Sequence, residues 1–104
     1  MSDRYRALVS ALVQRVSDGA GHLDPQTRRA ILAGTPAADP VGALATQVIE
    51  NPTRITAETF ARLLAAGATE DELFECVCTA AVAASLRRLD KGLALLDRTR
   101  EPIP

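Results

Sequence analysis

The sequence predicts an all-α protein, a compact bundle of about five helices with a long C-terminal helix. Three observations carry that prediction. Hydrophobic residues make up 47% of the 104-residue chain but aromatics only 3%. The core must then be built from Leu, Val, Ile and Ala, which suits closely packed helices better than a strand-rich sandwich. Apolar residues recur three and four apart in successive segments, the spacing of one helical face. Capping residues followed by Pro or by an acidic turn mark the segment starts. The length is that of one domain with a modest core. Residues 1–98 are expected to form it, with 99–104 as a poorly ordered tail.

Ser2 or Asp3 can cap a first helix of roughly Asp3 to Ser17. Tyr5, Leu8, Val9, Leu12, Val13 and Val16 repeat along one of its faces, as in an amphipathic core helix. Gly19-Ala20-Gly21 ends it. Asp24-Pro25 starts a second, short helix to about Ala33: Asp suits the N-cap, and Pro at the first helical position loses no hydrogen bond. Gly34 stops it. Asp39-Pro40 repeats the device and opens a third helix to Glu50, with Val41, Leu44, Ala45, Val48 and Ile49 on its apolar face. Asn51-Pro52 terminates it, because the residue before Pro is biased away from helix. Thr56 caps a fourth helix, Ala57 to Ala66. Ile55 can pack on Phe60 as a hydrophobic staple, and Leu63, Leu64 and Ala61 are expected to supply the rest of the buried surface. Gly67 is its C′ residue.

The last helix is expected over Ala68 to Asp97. Thr69 and Glu72 form a capping box, and Glu70, Asp71 and Glu72 place negative charge where the helix dipole favours it. Its apolar face changes along its length. Leu73, Phe74, Val77, Ala81 and Ala84 share one side of the first half. Leu86, Leu89, Leu93 and Leu96 gather on another side of the second half, where Arg87, Arg88 and Lys91 take over the earlier direction. Two halves packed on different neighbours, a bend near Gly92, or both would explain this, and a second subunit is one candidate neighbour. The centre, residues 76–85, is small nearly all round and is expected in the middle of the core.

Five residues are candidates for chemistry. Cys76 and Cys78 are about 200° apart on a helix, so they can neither pair nor chelate one metal from one face. Free cysteines are commonly buried, and two small core residues are expected. A one-thiol redox sensor at either position is the alternative. His22 is the only histidine and is expected in an exposed loop; as a lone general base it would have no partner in a ligand spacing. Glu72 and Glu75 could run acid–base chemistry as a carboxylate pair. The capping box already accounts for Glu72, and Glu75 is expected in solvent or paired with an arginine such as Arg62. No phosphate loop or nucleophile elbow occurs. No cofactor or metal is expected.

Ile55 to Glu75 carries a family resemblance. A short helix, Ala65-Ala66-Gly67, the Thr69 cap, an acidic first turn and the Leu73-Phe74 pair stand in order. An Ala-rich helix ending in Arg-Leu and further Leu follows, Ala80 to Leu96. This resembles the carboxymuconolactone decarboxylase / alkylhydroperoxidase D-like superfamily, and the likeness extends upstream to about Leu23. The resemblance implies that superfamily's all-α fold, assembled into trimers, hexamers or related oligomers. Its peroxidase members carry Cys-x-x-Cys-x-x-x-His on the helix before the glycine. The corresponding positions here, near Pro52, Ile55 and Thr59, hold neither Cys nor His, so the dithiol activity does not carry over.

The resulting expectation is a small homo-oligomeric domain assembled through the long C-terminal helix. Its role would be binding, scaffolding or assembly without catalysis. The alternative is a carboxymuconolactone-decarboxylase-like enzyme. It would act on a small carboxylic acid or lactone in an inter-subunit pocket, with Glu72, Glu75 or His22 as the acid–base group and an arginine as anchor. A net charge of −1 with mixed signs argues against a nucleic-acid surface. No segment has the run of about 18 apolar residues that a membrane span needs. No signal-peptide pattern opens the chain, so a cytoplasmic protein with reduced thiols is expected.

Overall fold

In a computed structural model, residues 3–99 are described. They form five α-helices and no strand: α1 (Asp3–Asp18), α2 (Pro25–Leu32), α3 (Pro40–Glu50), α4 (Ala57–Ala65) and α5 (Glu70–Thr99). A 3-10 turn at Pro52–Arg54 links α3 to α4. The expected all-α bundle with a long last helix is therefore present. Thr99, expected in the tail, is the last residue of α5; residues 100–104 lie outside the described part. Among the described residues no helix is long and apolar enough to cross a membrane.

Local chemistry sets the boundaries. The Asp39 carboxylate accepts from the Gly42 N–H at 2.7 Å, capping α3 with Pro40 at its first position. Asp24 stands at the start of α2 without a side-chain cap bond. Gly67, at φ 108°, closes α4. Its N–H donates to Leu64 and that of Ala68 to Leu63, both at 3.1 Å, the paired bonds of a Schellman ending. Thr69 and Glu72 form the expected box: the Thr69 N–H donates to Glu72 at 3.0 Å and the Glu72 N–H to Thr69 Oγ1 at 3.1 Å.

The core is small. Its buried apolar side chains are Leu23, Ile31, Leu44, Ala45, Leu73, Cys76, Ala80 and Ala83. The first half of α5 packs mainly on α3 and then on α2, while α1 packs on α2. Cys76 Sγ donates to the Val41 carbonyl at 3.4 Å, near the start of α3. Ile49, near its end, shares a depression with Ala84 and Arg87. α3 therefore runs parallel to α5. Gly42 brings it close to the preceding loop: a Cβ there would overlap the Ala37 carbonyl oxygen.

Three expectations about burial are corrected. On α1, Val9, Val13 and Val16 are half-buried, but Tyr5, Leu8 and Leu12 are exposed, because α1 meets only α2 extensively. On α4, Leu63 is half-buried while Ala61 and Leu64 are exposed; Ile55, Phe60 and Leu63 hold it to the core. On α5, the buried row is Leu73, Cys76, Ala80 and Ala83, joined by Thr79, a face rotated from the expected one. Phe74 and Ala81 face solvent. α5 continues through Gly92 as one helix, and of its second-half leucines Leu86 and Leu93 are half-buried while Leu89 and Leu96 are exposed.

The molecule is elongated, with principal extents of 59 × 29 × 19 Å and a radius of gyration of 16.2 Å. A compact domain of this length would have about 13 Å.

Candidate functional site

The start of α5 meets the loop after α1. The Glu75 carboxylate lies under that loop and takes the His22 N–H at 2.8 and 2.7 Å and the Leu23 N–H at 2.5 Å. A Cβ on Gly21 would come within 2.5 Å of the same carboxylate, so three consecutive residues wrap it. Partial burial by itself would raise the carboxyl's pKa. The two N–H donors, with the charges of His22 and Arg28 nearby, outweigh it and hold Glu75 below the ordinary carboxylate range. The expected pairing of Glu75 with Arg62 does not occur; the carboxylate is spent on backbone more than fifty residues away in sequence.

Two residues beside this cradle escaped the sequence reading. Asp71 Oδ2 lies 3.6 Å from His22 Nε2, both side chains well exposed. Arg28 is buried, donates from Nη1 to the Val16 carbonyl at 3.0 Å, and has an Nε without a partner. Its neighbour Arg29 pairs on the surface with Asp18 at 2.6 Å. Nothing local distinguishes the two arginines; only the docking of α2 against α1 does.

The cysteines separate. Cys76 is fully buried and its thiol is pushed up to about 11, first by burial and then by the Asp39 charge. Cys78 is exposed, which corrects the expectation of two core cysteines. They face opposite sides of α5, as their spacing requires. Glu72 is held by its capping bonds, and His22 is exposed, as expected.

These groups do not converge on a pocket. The cleft between α3 and α4, about 340 Å³, contains Arg62 but no carboxylate. The groove between α4 and α5, about 520 Å³ and lined by Phe60, Leu64, Glu70, Leu73, Phe74 and Val77, contains a carboxylate but no arginine. Among the described residues no three His, Cys, Asp or Glu side chains are placed to hold a metal ion.

The larger feature is the outer face of α5. Phe74, Cys78, Ala81, Ser85, Leu89, Gly92, Leu95 and Leu96 are all exposed. At 100° per residue they fall within an arc of about 120° opposite the buried row. Phe74 is 70%, Leu89 41%, Leu95 61% and Leu96 45% exposed. From Phe74 to Leu96 the face is apolar or small except for the exposed Arg88, which falls in the same arc, and it follows the spacing of a helix-packing seam.

No family model, curated protein or solved structure matches this chain.

Proposed function

We propose that this protein is a self-assembling helical module whose subunits join through the outer face of α5, and that its role is binding or scaffolding without catalysis. One observation carries the proposal: the long helix leaves a long face of apolar and small residues, interrupted by Arg88, uncovered, while the described residues bury eight apolar side chains. From Phe74 to Leu96 the face is about 33 Å long, and a helix about 10 Å wide presents on the order of 300 Å² there. A patch of that order is about the largest that a typical monomer exposes, and such patches are often functional.

Charge supports a second copy as the occupant. α5 opens with Glu70, Asp71 and Glu72, whereas residues 86–99 hold Arg87, Arg88, Lys91 and Arg98 against Asp90 and Asp97. Two copies of α5 packed antiparallel place the acidic start of each beside the basic half of the other. Small residues at 78, 81, 85 and 92 permit close approach of the two helices. An alkylhydroperoxidase D-like subunit without the dithiol fits the same description.

The acid–base candidates do not favour the decarboxylase alternative, since the Glu72 and Glu75 carboxylates accept from backbone N–H groups of Thr69, His22 and Leu23. Ala81→Arg tests the assembly. It places a bulky cation at the middle of the face and is expected to reduce the sedimenting mass to that of one chain with the helical circular dichroism retained. An unchanged oligomer would move the interface elsewhere. Peroxidase turnover with a dithiol donor, abolished by Cys76→Ser, would refute the non-catalytic role.

A further inference from the structure

We infer that the groove between α4 and α5 receives the C-terminal end of α5 from a second copy, so that two chains close a two-fold dimer with Leu95 of each seated against Phe74 and Val77 of the other. The inference rests on assembly through the outer face of α5 and adds to it a partner segment, a register and a second helix, α4. The groove and its occupant stand on the same molecule. The groove, about 520 Å³, has Leu73 as its buried floor, Phe60 and Val77 half-buried on its walls, and Leu64 and Phe74 exposed at its lips. At the other end of α5, residues 94–99 are all exposed, so the last turns of the helix stand clear of the other elements. Leu95 is 61% exposed there. An open apolar groove and a projecting helical end bearing leucines are the two halves of helix-in-groove recognition.

Position round the helix selects the antiparallel sense. At 100° per residue, Glu70, Val77 and Leu95 lie within about 20° of one another, on one flank of the outer face. α4 lies on that flank, since Glu70, Leu73 and Val77 line the groove from the α5 side. A two-fold axis between two antiparallel helices keeps like flanks on the same side, so Leu95 of one copy comes to the α4 side of the other. Phe74 and Leu95 are about 32 Å apart along the helix, and the axis passes midway, at residues 84 and 85. The outer-face residues nearest that point, Ala81 and Ser85, are small, so the helices can approach most closely where symmetry brings them together. In this register Arg98 comes beside Glu70 at the rim of the groove, a pairing of opposite charges. Arg88 lies across from Ala81, whose small side chain leaves the arginine stem room to reach solvent. A parallel pair would set Glu70 beside Glu70 and leave both grooves empty. The antiparallel pair fills both grooves, so association closes at two chains.

The test compares the full chain with its variants by sedimentation, circular dichroism and thiol cross-linking. Leu64→Asp and Leu95→Asp are each expected to raise the dimer dissociation constant about tenfold or more, since each places a carboxylate in an apolar contact. Leu64 is exposed on α4, so its substitution leaves the outer face of α5 intact and the helical signal unchanged. Gly92→Cys reads the register. Its Cβ would meet nothing within 4 Å in its own chain, and residue 92 faces Cys78 of the second copy. Diamide is expected to oxidise the two thiols to a disulfide, giving a covalent dimer whose linked peptides carry residues 78 and 92. The parent chain, whose two Cys78 residues lie on either side of the axis, is expected to stay unlinked. A 78–78 link in the parent, or no 78–92 link in Gly92→Cys, would overturn the inference. Leu64→Asp assembling as the parent does while Ala81→Arg dissociates would overturn the groove and leave assembly through α5 standing. A parent of one chain at every concentration would overturn both.

Discussion

Replacing Glu75 tests how the long helix is tied to the front of the molecule. Its carboxylate takes N–H bonds from His22 and Leu23 at 2.5–2.8 Å. A hydrogen bond to a charged acceptor is worth about 1.5–3 kcal/mol net, so two donors set an upper range of about 3–6 kcal/mol. The carboxylate is half-exposed, and water can replace part of each bond. We therefore expect a loss of about 2 kcal/mol for Glu75→Ala and about 1 kcal/mol for Glu75→Gln, whose amide oxygen keeps one weaker acceptor. The pH dependence gives a sharper test. Glu75 is held below the ordinary carboxylate range, so between its folded and unfolded pKa values the unfolded chain binds more protons and stability rises with pH. Its contribution is complete above the unfolded value of about 4.3 and is lost as pH falls through the folded one. Urea unfolding of wild type and Glu75→Gln, at one protein concentration across this range, should show a gap that closes toward acid. A gap that stays constant to the lowest pH, or none near pH 7, would refute the charged cradle.

Other consequences follow from burial and close approach. In the Ala81→Arg chain, where the outer face of α5 is not covered by a second copy, iodoacetamide should label Cys78 rapidly and Cys76 only at the rate of unfolding, because one thiol is exposed and the other is enclosed and raised to about 11; equal rates in that folded chain would contradict the placement of the buried face. Gly42→Ala usually stabilises a helix by about 0.5–1 kcal/mol, but here the new Cβ would meet the Ala37 carbonyl, so thermal unfolding should shift downward, and an upward shift would show that the loop does not lie there. Leu44→Ala empties a fully buried site in a small core, eight apolar side chains among the described residues, and should cost about 2–5 kcal/mol, a large part of a small domain's stability, read from denaturant midpoints. Leu89→Asp with Leu96→Asp should dissociate subunits at concentrations where the parent is assembled, with the helix content kept.

The helix starts and stops were legible because their chemistry is local. Asp39 with Pro40, Gly67, and the Thr69–Glu72 pair each act within four residues of themselves, and each behaves in the structure as its spacing predicts. The third helix was also plain, since Leu44 and Ala45 stand at the centre of one clear face. α5 was harder. Its small residues satisfy several faces at once, so the periodicity did not say whether Cys76 or Phe74 would meet α3. Only the side on which α3 lies decides that, and it buries Cys76 and leaves Phe74 out. Glu75 was illegible for a different reason: its partners are the backbone of His22 and Leu23, and no side-chain pattern marks a backbone donor. Arg28 and Arg29 are adjacent and alike, yet one is buried and the other pairs with Asp18.

The mass of the protein in solution tests the central claim most directly. Multi-angle light scattering across a concentration series should give a fixed small multiple of the 11.0 kDa chain, with the outer face of α5 covered by a second copy. A single species of one chain at every concentration would contradict the proposal and leave the uncovered face of α5 without a partner.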